Sequence, residues 1–499
     1  MKQLKQILAV SVSIILLVLA VSSCAGKDGQ GGNNKQEVLA DTVDTMNMEK
    51  VSKEPTFEVG NPQENTAITP HSTIGAGMVL QRRCVNRLSG TTTDPHIAVF
   101  FQDTFYYGTV ENGVFEVYLP PFEAGGPYTL AFWTESGKKV LTDIYVGEVF
   151  LLAGQSNMAF SIIQCGAATQ ESLNQTGNPN IRLLQLPLST AAYAKDSIDA
   201  EWEAATSDTV LNFSAFGYLF GRNMYNELSV PIGLVQAAVG GSPLSYWLSL
   251  ESYEELKSKQ TVFVTEAKPC QGYNGMIAPL TRLRFRGVVW YQGETNAGMP
   301  NTYEGELNCL IDSYRAIMND FRLTFTLIEL PRFGELPEGW AKIRAAQQKI
   351  AAEKENVCLS VSIDLGDMED VHPVDKTIFA QRAAEVTLHH FFGMETQPYP
   401  TIEKAAKTEN NTVVLTLNGA DGLELRNGKN GFQYSTNGAS FDDVSSVTVE
   451  GNYLTITAAG EIKALRYGVK NSVAENAPAK QVTVFNAYDK PLDQFEIEF

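Results

Sequence analysis

Four short clusters of glycine and polar residues stand after apolar runs of this chain. They are Gly154–Met158 (GQSNM), Gly240–Pro243 (GGSP), Gln292–Asn296 (QGETN) and Asp370–Pro373 (DVHP). Together they contain a hydroxyl that could attack a carbonyl carbon, an imidazole that could accept its proton, and amide groups that could bind an oxyanion. Acyl transfer requires these parts, so we expect that chemistry if the fold brings the clusters together.

The nucleophile and its base can be assigned within these clusters. Ser156 follows a predicted strand, and because a free serine is barely ionised at neutral pH it needs a base within hydrogen-bond reach. His372 is the expected base. The other four histidines stand in or before a predicted β-region or late in a predicted helix: His71, His96, His389 and His390. The alternative interpretation of Ser156 is a plain helix cap.

The surroundings of His372 predict how it is tuned. Pro373 follows it, and proline is favoured in the first turn of a helix. We therefore expect His372 at a helix N-terminus, which disfavours the imidazolium and keeps the free base populated near neutral pH. A carboxylate should orient the ring during turnover, and both Asp370 and Glu369 are adjacent to it in sequence.

An oxyanion needs preorganised hydrogen-bond donors, each of which is worth about 10²–10³ in rate. Ser156 can offer its own backbone N–H. Gly240 can offer a backbone N–H that no Cβ obstructs, and Asn296 can offer its side-chain amide.

The elements that must position these residues follow from hydrophobic patterning. Unbroken apolar runs alternate with amphipathic stretches, which is typical of strands in a parallel sheet covered by helices on both faces. The runs are Val149–Ala153, Ile232–Val239, Gly287–Tyr291, Phe325–Leu330 and Val357–Ile363; the amphipathic stretches are Phe213–Leu228, Tyr303–Phe321 and Trp340–Lys354. This pattern predicts a doubly wound α/β domain over residues 146–398. The ligand crevice of such a sheet lies outside the carboxyl ends of its strands, where the four clusters should meet.

Short alternating strands separated by Gly- or Pro-bearing turns predict a small antiparallel β-domain on each side of the α/β domain, over residues 69–145 and 399–499. Residues 24–68 are rich in glycine and charged residues and lack a sustained apolar period, so we expect a flexible linker there.

The first 23 residues have the pattern of a sorting signal. Lys2 and Lys5 precede an apolar run, Leu8–Val21, that is short for a membrane span. The run ends at Cys24 in a sequence (VSSC) that resembles the lipobox of bacterial lipoproteins. That resemblance implies cleavage before Cys24, lipidation of its thiol, and a protein held in the cell envelope facing the periplasm or the exterior. A plain secretory signal with an incidental cysteine is the alternative.

Composition limits the possible partners. The net charge of −19 argues against a nucleic-acid partner, because phosphate binding depends on clustered Lys and Arg. The cysteines after Cys24 form no CxxC motif or Cys/His cluster that would indicate a zinc site, so we expect buried thiols with at most one or two disulfides. The acyl-transfer chemistry described above is expected to need neither a metal nor an organic cofactor.

The four clusters resemble those of the SGNH hydrolases and, more narrowly, of the bacterial sialate O-acetylesterases. Further segments resemble the narrower family in the same order: Met78–Arg82, Val146–Phe150, Phe213–Arg222, Val230–Leu234, Tyr273–Leu280, Trp290–Ala297 and Leu465–Asn471. The resemblance covers residues 75–499. It implies an SGNH-hydrolase-like parallel sheet, a Ser156 nucleophile, a His372 base, and an oxyanion hole that includes Gly240 and Asn296.

Two departures leave alternatives open. The wider superfamily places an aspartate three residues before the histidine, where this chain has Glu369; the narrower family's Asp-Ile-His-Pro matches Asp370–Pro373. Asp370 is therefore the expected orienting residue, with Glu369 as the alternative. The Gly-Gly pair could supply the N–H of Gly240 or that of Gly241.

The resemblance implies a carboxylic ester hydrolase that acts on an O-acetylated sugar, with acetylated sialic acid as the first candidate substrate. An acetylesterase of xylan or another plant polysaccharide is the alternative, and an inactive glycan-binding relative is the non-enzymatic one. An arginine would suit the carboxylate of a sialate, and Arg282, Arg284 and Arg286 are candidates, although they could equally lie on loops or at the sheet edge.

Overall fold

The computed structural model describes residue 39 and residues 42–60, 63–166, 177–259, 268–334, 337–426, 428–469 and 482–499. The expected signal segment 1–23 and Cys24 lie outside the described residues.

The N-terminal part is built mainly from antiparallel strands. Its strands are β1 (Thr69–Pro70), β2 (Val79–Gln81), β3 (Asn86–Thr91), β4 (Ala98–Phe101), β5 (Thr104–Tyr107), β6 (Thr109–Glu111), β7 (Val114–Leu119), β8 (Gly125–Trp133) and β9 (Lys138–Gly154). One sheet has the order β1-β3-β7-β6, and β4 pairs with β5 and β8. Strand β2 pairs in parallel with the long strand β9. The predicted antiparallel β-region is therefore present.

Strand β9 connects this region to the central sheet. Its first half pairs antiparallel with β8, from Trp133↔Lys138 to Gly125↔Val146, and its second half enters a parallel sheet. The boundary expected at residue 146 thus falls inside one continuous strand. Every residue from Ile144 to Gly154 is buried, which explains the unbroken apolar run in the sequence.

The central sheet has the order β11-β10-β12-β9-β13-β14-β15, in which all strands except β11 run parallel. The added strands are β10 (Ile181–Gln185), β11 (Trp202–Ala204), β12 (Ile232–Ala238), β13 (Gly287–Tyr291), β14 (Thr324–Ile328) and β15 (Val357–Ser360). The five predicted strands are confirmed. The sequence pattern did not identify β10 or the antiparallel edge strand β11.

Helices cover both faces of this sheet. They are α1 (Ser156–Ala159), α2 (Ala215–Leu228), α3 (Leu250–Lys259), α4 (Tyr303–Ile317), α5 (Pro337–Glu353) and α6 (Thr377–Phe392). Successive residues of β9 point to opposite faces: Phe150 and Leu152 join a core with α2 and α6, and Leu151 and Ala153 join a core with α4 and α5. The predicted α/β class is confirmed.

The C-terminal part is again antiparallel. Its strands are β16 (Thr401–Glu409), β17 (Thr412–Asn418), β18 (Glu424–Leu425), β19 (Phe432–Ser435), β20 (Asp442–Asp443), β21 (Ser446–Glu450), β22 (Tyr453–Thr457), β23 (Ala464–Tyr467), β24 (Val484–Phe485) and β25 (Phe495–Glu498). They form sheets of order β16-β17-β22-β21, β18-β24 and β20-β19-β23-β25. Ile363, from the segment after β15, is part of the same core, so this region packs directly on the α/β domain.

Residues 24–68 were expected to form a flexible linker, but the part from residue 42 onward does not. From residue 42 it packs on the folded chain: Asp44 forms an ion pair with Arg284 (2.6 Å), the backbone of Ser52 pairs with that of Tyr107, and Asn65 is buried. The physical reason is specific polar contacts, which a low apolar content does not reveal.

Within the described part of the chain, we find no helix of the length and apolar character that a membrane crossing demands. The cysteines there, Cys84, Cys165, Cys270, Cys309 and Cys358, are all free thiols.

Candidate active site

Ser156 stands at a sharp turn at the carboxyl end of the central strand β9. Gly154, the last residue of the strand, has a φ of 141°, and a Cβ there would lie 2.1 Å from the carbonyl oxygen of Tyr291 on β13. Only glycine fits that position. Gln155 then donates its N–H to the same carbonyl (3.0 Å), and Ser156 begins α1 half-exposed, with its own N–H bonded to no described residue.

The loop after β12 places Gly240 beside Ser156. An ideal Cβ built on Gly240 would lie 3.7 Å from the Cβ of Ser156, whereas one built on Gly241 would meet no atom within 4 Å. Both glycines are exposed, and neither N–H donates to a described residue. Gly240 is therefore the glycine of the pair that adjoins the nucleophile, as an oxyanion donor would.

Asn296 lies buried behind this loop. Its Oδ1 accepts hydrogen bonds from the N–H of Leu244 (3.0 Å) and from Nε2 of Gln292 (2.8 Å), and its Nδ2 donates to Glu306 (3.2 Å). An amide nitrogen carries two hydrogens, and no described residue accepts the second. The orientation of Asn296 is thus fixed while one donor hydrogen is left for a ligand.

Gln292 connects the loops around the site. Its buried Nε2 is 3.2 Å from Oε1 of Gln155, 3.2 Å from the carbonyl oxygen of Ser242 and 2.8 Å from Oδ1 of Asn296. These three residues belong to the loops after β9, β12 and β13. Gln292 therefore acts as a structural link between the loops. Trp247 and Trp290 are likewise fully buried in the core and cannot stack on a sugar.

His372 lies in the long loop after β15 and packs against α1. Its ring stacks on Phe160 with a centroid distance of 5.5 Å and an interplanar angle of 6°. Nδ2 of Asn157, the residue after the nucleophile, donates to the carbonyl oxygen of Val371 (3.0 Å). Among the described residues no hydrogen bond joins His372 to Ser156; without substrate, such bonds are often long or poorly aligned.

The expectation that His372 sits at a helix N-terminus is wrong. Helix α6 begins at Thr377, and Pro373 belongs to the loop. The pKa of His372 is nevertheless lowered from its usual 6.5, mainly because burial disfavours the charged ring; Asp370 opposes this shift and Lys376 adds to it. The free base is thus favoured by desolvation and a neighbouring lysine.

The two candidate carboxylates differ in position. Asp370 accepts the backbone N–H of His372 (2.8 Å), and its Oδ1 lies 3.7 Å from Nδ1 of the ring. That distance is longer than a hydrogen bond, and the Asp370 side chain is 55% exposed, so rotation of the carboxylate can close the gap. The side chain of Glu369 is exposed, and within the described residues it forms no ion pair with His372. The geometry favours Asp370, and its role stays a prediction.

The three arginines considered for a substrate carboxylate are engaged elsewhere. Arg286 pairs with the buried Glu148 (2.8 Å), Arg284 pairs with Asp320 (3.0 Å), and Arg282 pairs with Asp196. They precede β13 and so lie toward its amino end, away from the loops that surround Ser156. Ion pairing near the amino end of β13 accounts for them.

Two residues near the nucleophile were not identified from the sequence: Asn157 and Lys376. Lys376 is buried and donates to Oδ1 of Asn157 (2.6 Å). Its position four residues after His372, just ahead of an apolar helix, was the available signal. The sequence pattern could not show that this lysine is buried, since lysines at helix starts are normally solvated.

The parallel sheet, the turn after β9, and the meeting of Ser156, Gly240, Asn296 and His372 at one rim define the central domain as a hydrolase domain of the SGNH type. Comparison with known families agrees. Residues 146–388 match the family model described as carbohydrate esterase, sialic acid-specific acetylesterase. The match covers a little under half of the chain, so the central domain is similar to that family.

Individual relatives extend the match. The chain is 32% identical over 228 residues to the sialate O-acetylesterase of Homo sapiens, which is 42% of this chain and 42% of the human protein. It is 27% identical over 331 residues to that of Rattus norvegicus, covering 53% of this chain and 61% of the rat protein. The chain thus spans between 42% and 61% of the length of these curated relatives.

A solved structure matches more of the chain. The crystal structure of a carbohydrate acetylesterase from Xanthomonas citri superposes with a TM-score of 0.78 at 26% identity and covers 86% of this chain and 99% of that one. The similarity therefore includes the flanking β-regions as well as the central domain.

Proposed function

We propose that this protein is a serine esterase that removes O-acetyl groups from sugars, with O-acetylated sialic acid as its substrate. The observation that carries the proposal is that Ser156 lies next to the free backbone amide of Gly240, inside a domain that matches sialic acid-specific acetylesterases. A Cβ built on Gly240 would be 3.7 Å from the Cβ of Ser156. The names of the human and rat relatives support the substrate.

The residues suggest the following reaction. Oγ of Ser156 attacks the carbonyl carbon of the acetyl group while Nε2 of His372 accepts the hydroxyl proton. The N–H groups of Ser156 and Gly240 and the remaining hydrogen on Nδ2 of Asn296 stabilise the oxyanion of the tetrahedral intermediate. The C–O bond to the sugar then breaks, and His372 returns the proton to the sugar oxygen. The products of this half are the free sugar hydroxyl and an acetylated Ser156.

In the second half, His372 removes a proton from water as the water attacks the acetyl-enzyme. The new intermediate collapses, the Ser156 oxygen regains the proton, and acetate leaves. Asp370 orients the imidazole and stabilises its protonated form. Apart from the water, this route uses only groups that the chain itself supplies.

The mechanism is tested with Ser156→Ala and His372→Ala. Each should abolish hydrolysis of an aryl acetate while circular dichroism and the unfolding midpoint stay as in the native protein. Ser258→Ala and His389→Ala are matched controls, because both residues are exposed and distant in sequence from the four clusters. Full activity in Ser156→Ala or His372→Ala would refute the assignment. Retained glycan binding by a native protein without esterase activity would favour the glycan-binding alternative.

The substrate requires its own measurement. The kcat/KM of the native protein should be higher on O-acetylated sialic acid than on acetylated xylo-oligosaccharides. A clear preference for the xylo-oligosaccharides would overturn the substrate proposal and leave the esterase mechanism intact.

We also propose that Cys24 carries lipid and attaches the protein to the cell envelope, facing the periplasm or the exterior. The support is the sequence pattern around Cys24, which resembles a lipobox. Acyl chains contribute about 0.8 kcal/mol for each buried CH₂, which is sufficient for stable attachment when several chains are present. A Cys24→Ala variant should leave the membrane fraction; its retention there would contradict the proposal.

A further inference from the structure

A buried lysine lies directly behind the nucleophile and the base. The Lys376 side chain is fully buried, and its Nζ donates to Oδ1 of Asn157 (2.6 Å). Nζ also lies over the rings of Phe160, Tyr291 and Phe379, at 5.4, 5.9 and 5.7 Å from their centroids. Aromatic faces at these distances attract a cation. The surroundings are therefore suited to a charged amine.

Asn157 connects Lys376 to two other elements of the site. While its Oδ1 accepts from Lys376, its Nδ2 donates to Oε1 of Glu294 (2.6 Å) and to the carbonyl oxygen of Val371 (3.0 Å). The first contact reaches the loop after β13, and the second reaches the residue before His372. All the hydrogen-bonding groups of the Asn157 side chain are thus used to hold the base-bearing loop against the nucleophile helix.

The charges in this cluster compensate each other. An isolated charge in the interior is costly, and Glu294 lies on the other side of the Asn157 amide. Burial raises the pKa of Glu294, and the positive charge of Lys376 opposes that rise and so favours the carboxylate. Burial lowers the pKa of Lys376 to about 8, opposed by Cys165, Glu294, Asp370 and Asp375. The ammonium form therefore still predominates at neutral pH.

We propose, on the basis of the esterase function proposed above, that Lys376 is a positioning residue for the catalytic pair. Through Asn157 it holds His372 in place beside Ser156, and its fixed positive charge opposes protonation of His372. The lysine acts through these two residues and is not placed in contact with substrate.

The effect on His372 has a definite sign. The charged groups that influence the imidazole are Asp370, which favours the protonated ring, and Lys376, which disfavours it; the Phe160 ring covers one face. Loss of the lysine charge leaves Asp370 unopposed. The pKa of His372 should then rise, and the acid limb of the pH profile of kcat/KM should move to higher pH.

Lys376→Met tests this, because methionine keeps the apolar length and removes the charge. We expect kcat on an aryl acetate to fall by about 10²-fold, the size of effect that a small displacement of a catalytic group produces. KM should change little, and the acid limb should move upward. Lys349→Met, which alters an exposed lysine paired with Glu304, is the matched control and should change none of these quantities.

A double variant separates positioning from mere structural support. Lys376→Met leaves the Glu294 carboxylate buried without its counter-charge. The variant is therefore measured beside Lys376→Met/Glu294→Gln, which removes both charges and keeps an acceptor for Asn157. We expect the double variant to recover the unfolding midpoint but not kcat or the position of the acid limb. Recovery of kcat together with stability would overturn the proposal.

An NMR titration of the His372 ring gives a readout that is independent of turnover. Its pKa should be higher in the double variant than in the native protein, and an unchanged pKa would overturn the proposal. If the native protein hydrolyses no ester, the proposed function fails, while this titration still decides whether Lys376 tunes His372. The two failures are therefore distinguishable.

Discussion

The two adjacent glycines after β12 can be told apart by replacing each with alanine. The φ of Gly240 lies outside the left-handed region, and a methyl group there would meet one atom, the Cβ of Ser156, at an ordinary contact distance of 3.7 Å. Gly240→Ala should therefore fold normally. The methyl group would occupy space next to the nucleophile, where the acetyl group has to bind.

We expect Gly240→Ala to lose activity and keep its stability, and Gly241→Ala to lose stability and keep most of its activity. Displacement of a reacting group by about 1 Å can reduce the rate about 10²-fold, equivalent to about 2.7 kcal/mol of transition-state stabilisation, so we expect this loss in Gly240→Ala. Gly241 has a φ of 68° and no atom within 4 Å of a built Cβ. Gly241→Ala should lose about 1 kcal/mol of folding free energy, because alanine is strained there, and keep most of its activity.

The assay is kcat/KM on an aryl acetate together with the urea midpoint for the native protein and both variants. Loss of activity in Gly241→Ala with full activity in Gly240→Ala would show that Gly241, and not Gly240, borders the acetyl site. Full activity in both variants would show that neither methyl group obstructs the acetyl site, which would refute the placement of that site beside Gly240.

Three further predictions concern the base and the scaffold. Asp370→Asn should lower kcat roughly 10-fold, because it removes the charge-assisted hydrogen bond that the exposed carboxylate forms when it rotates toward the His372 ring. Glu369→Gln should leave kcat unchanged, and impairment of that variant alone would reverse the assignment. Because burial lowers the pKa of His372 below 6.5, activity should be lost as the pH falls through a midpoint below that value, and a midpoint above it would contradict the reasoning. Glu148→Gln should destabilise the protein by about 3 kcal/mol in urea unfolding, since it leaves two partly buried arginines without their shared buried counter-charge, while Lys349→Met should have little effect.

The scaffold of the site was predictable because its signals are local. Strands buried on both faces must be apolar at every position, so Val149–Ala153 and Gly287–Tyr291 stand out in the sequence. The carboxyl ends of parallel strands meet at one rim, so the polar clusters that follow β9, β12 and β13 had to be neighbours. The GQSNM and QGETN motifs then indicated the family.

Some of the segments that resemble the family lie outside the active site, and the contacts of Glu148 show what they do there. Gln81 and Arg82 of the Met78–Arg82 segment both bond the Glu148 carboxylate, at 2.8 and 2.6 Å. Burial raises the pKa of Glu148, but Arg286 and Arg82 more than offset this, so its pKa is lowered. These two segments therefore have a structural role, which is to join strand β2 to strand β9.

Sequence alone determined the sheet and the polar clusters at its rim, and it supplied Ser156 and His372 as the candidate nucleophile and base, because each depends on short-range pattern. Only the tertiary structure decided that His372 lies in a loop that begins well before α6, that Gly240 is the glycine beside Ser156, and that Lys376 is buried. The last of these depends on aromatic rings and an amide contributed by elements far apart in the chain. Propensity and spacing describe neighbours along the backbone, whereas burial of a charge depends on which distant side chains surround it.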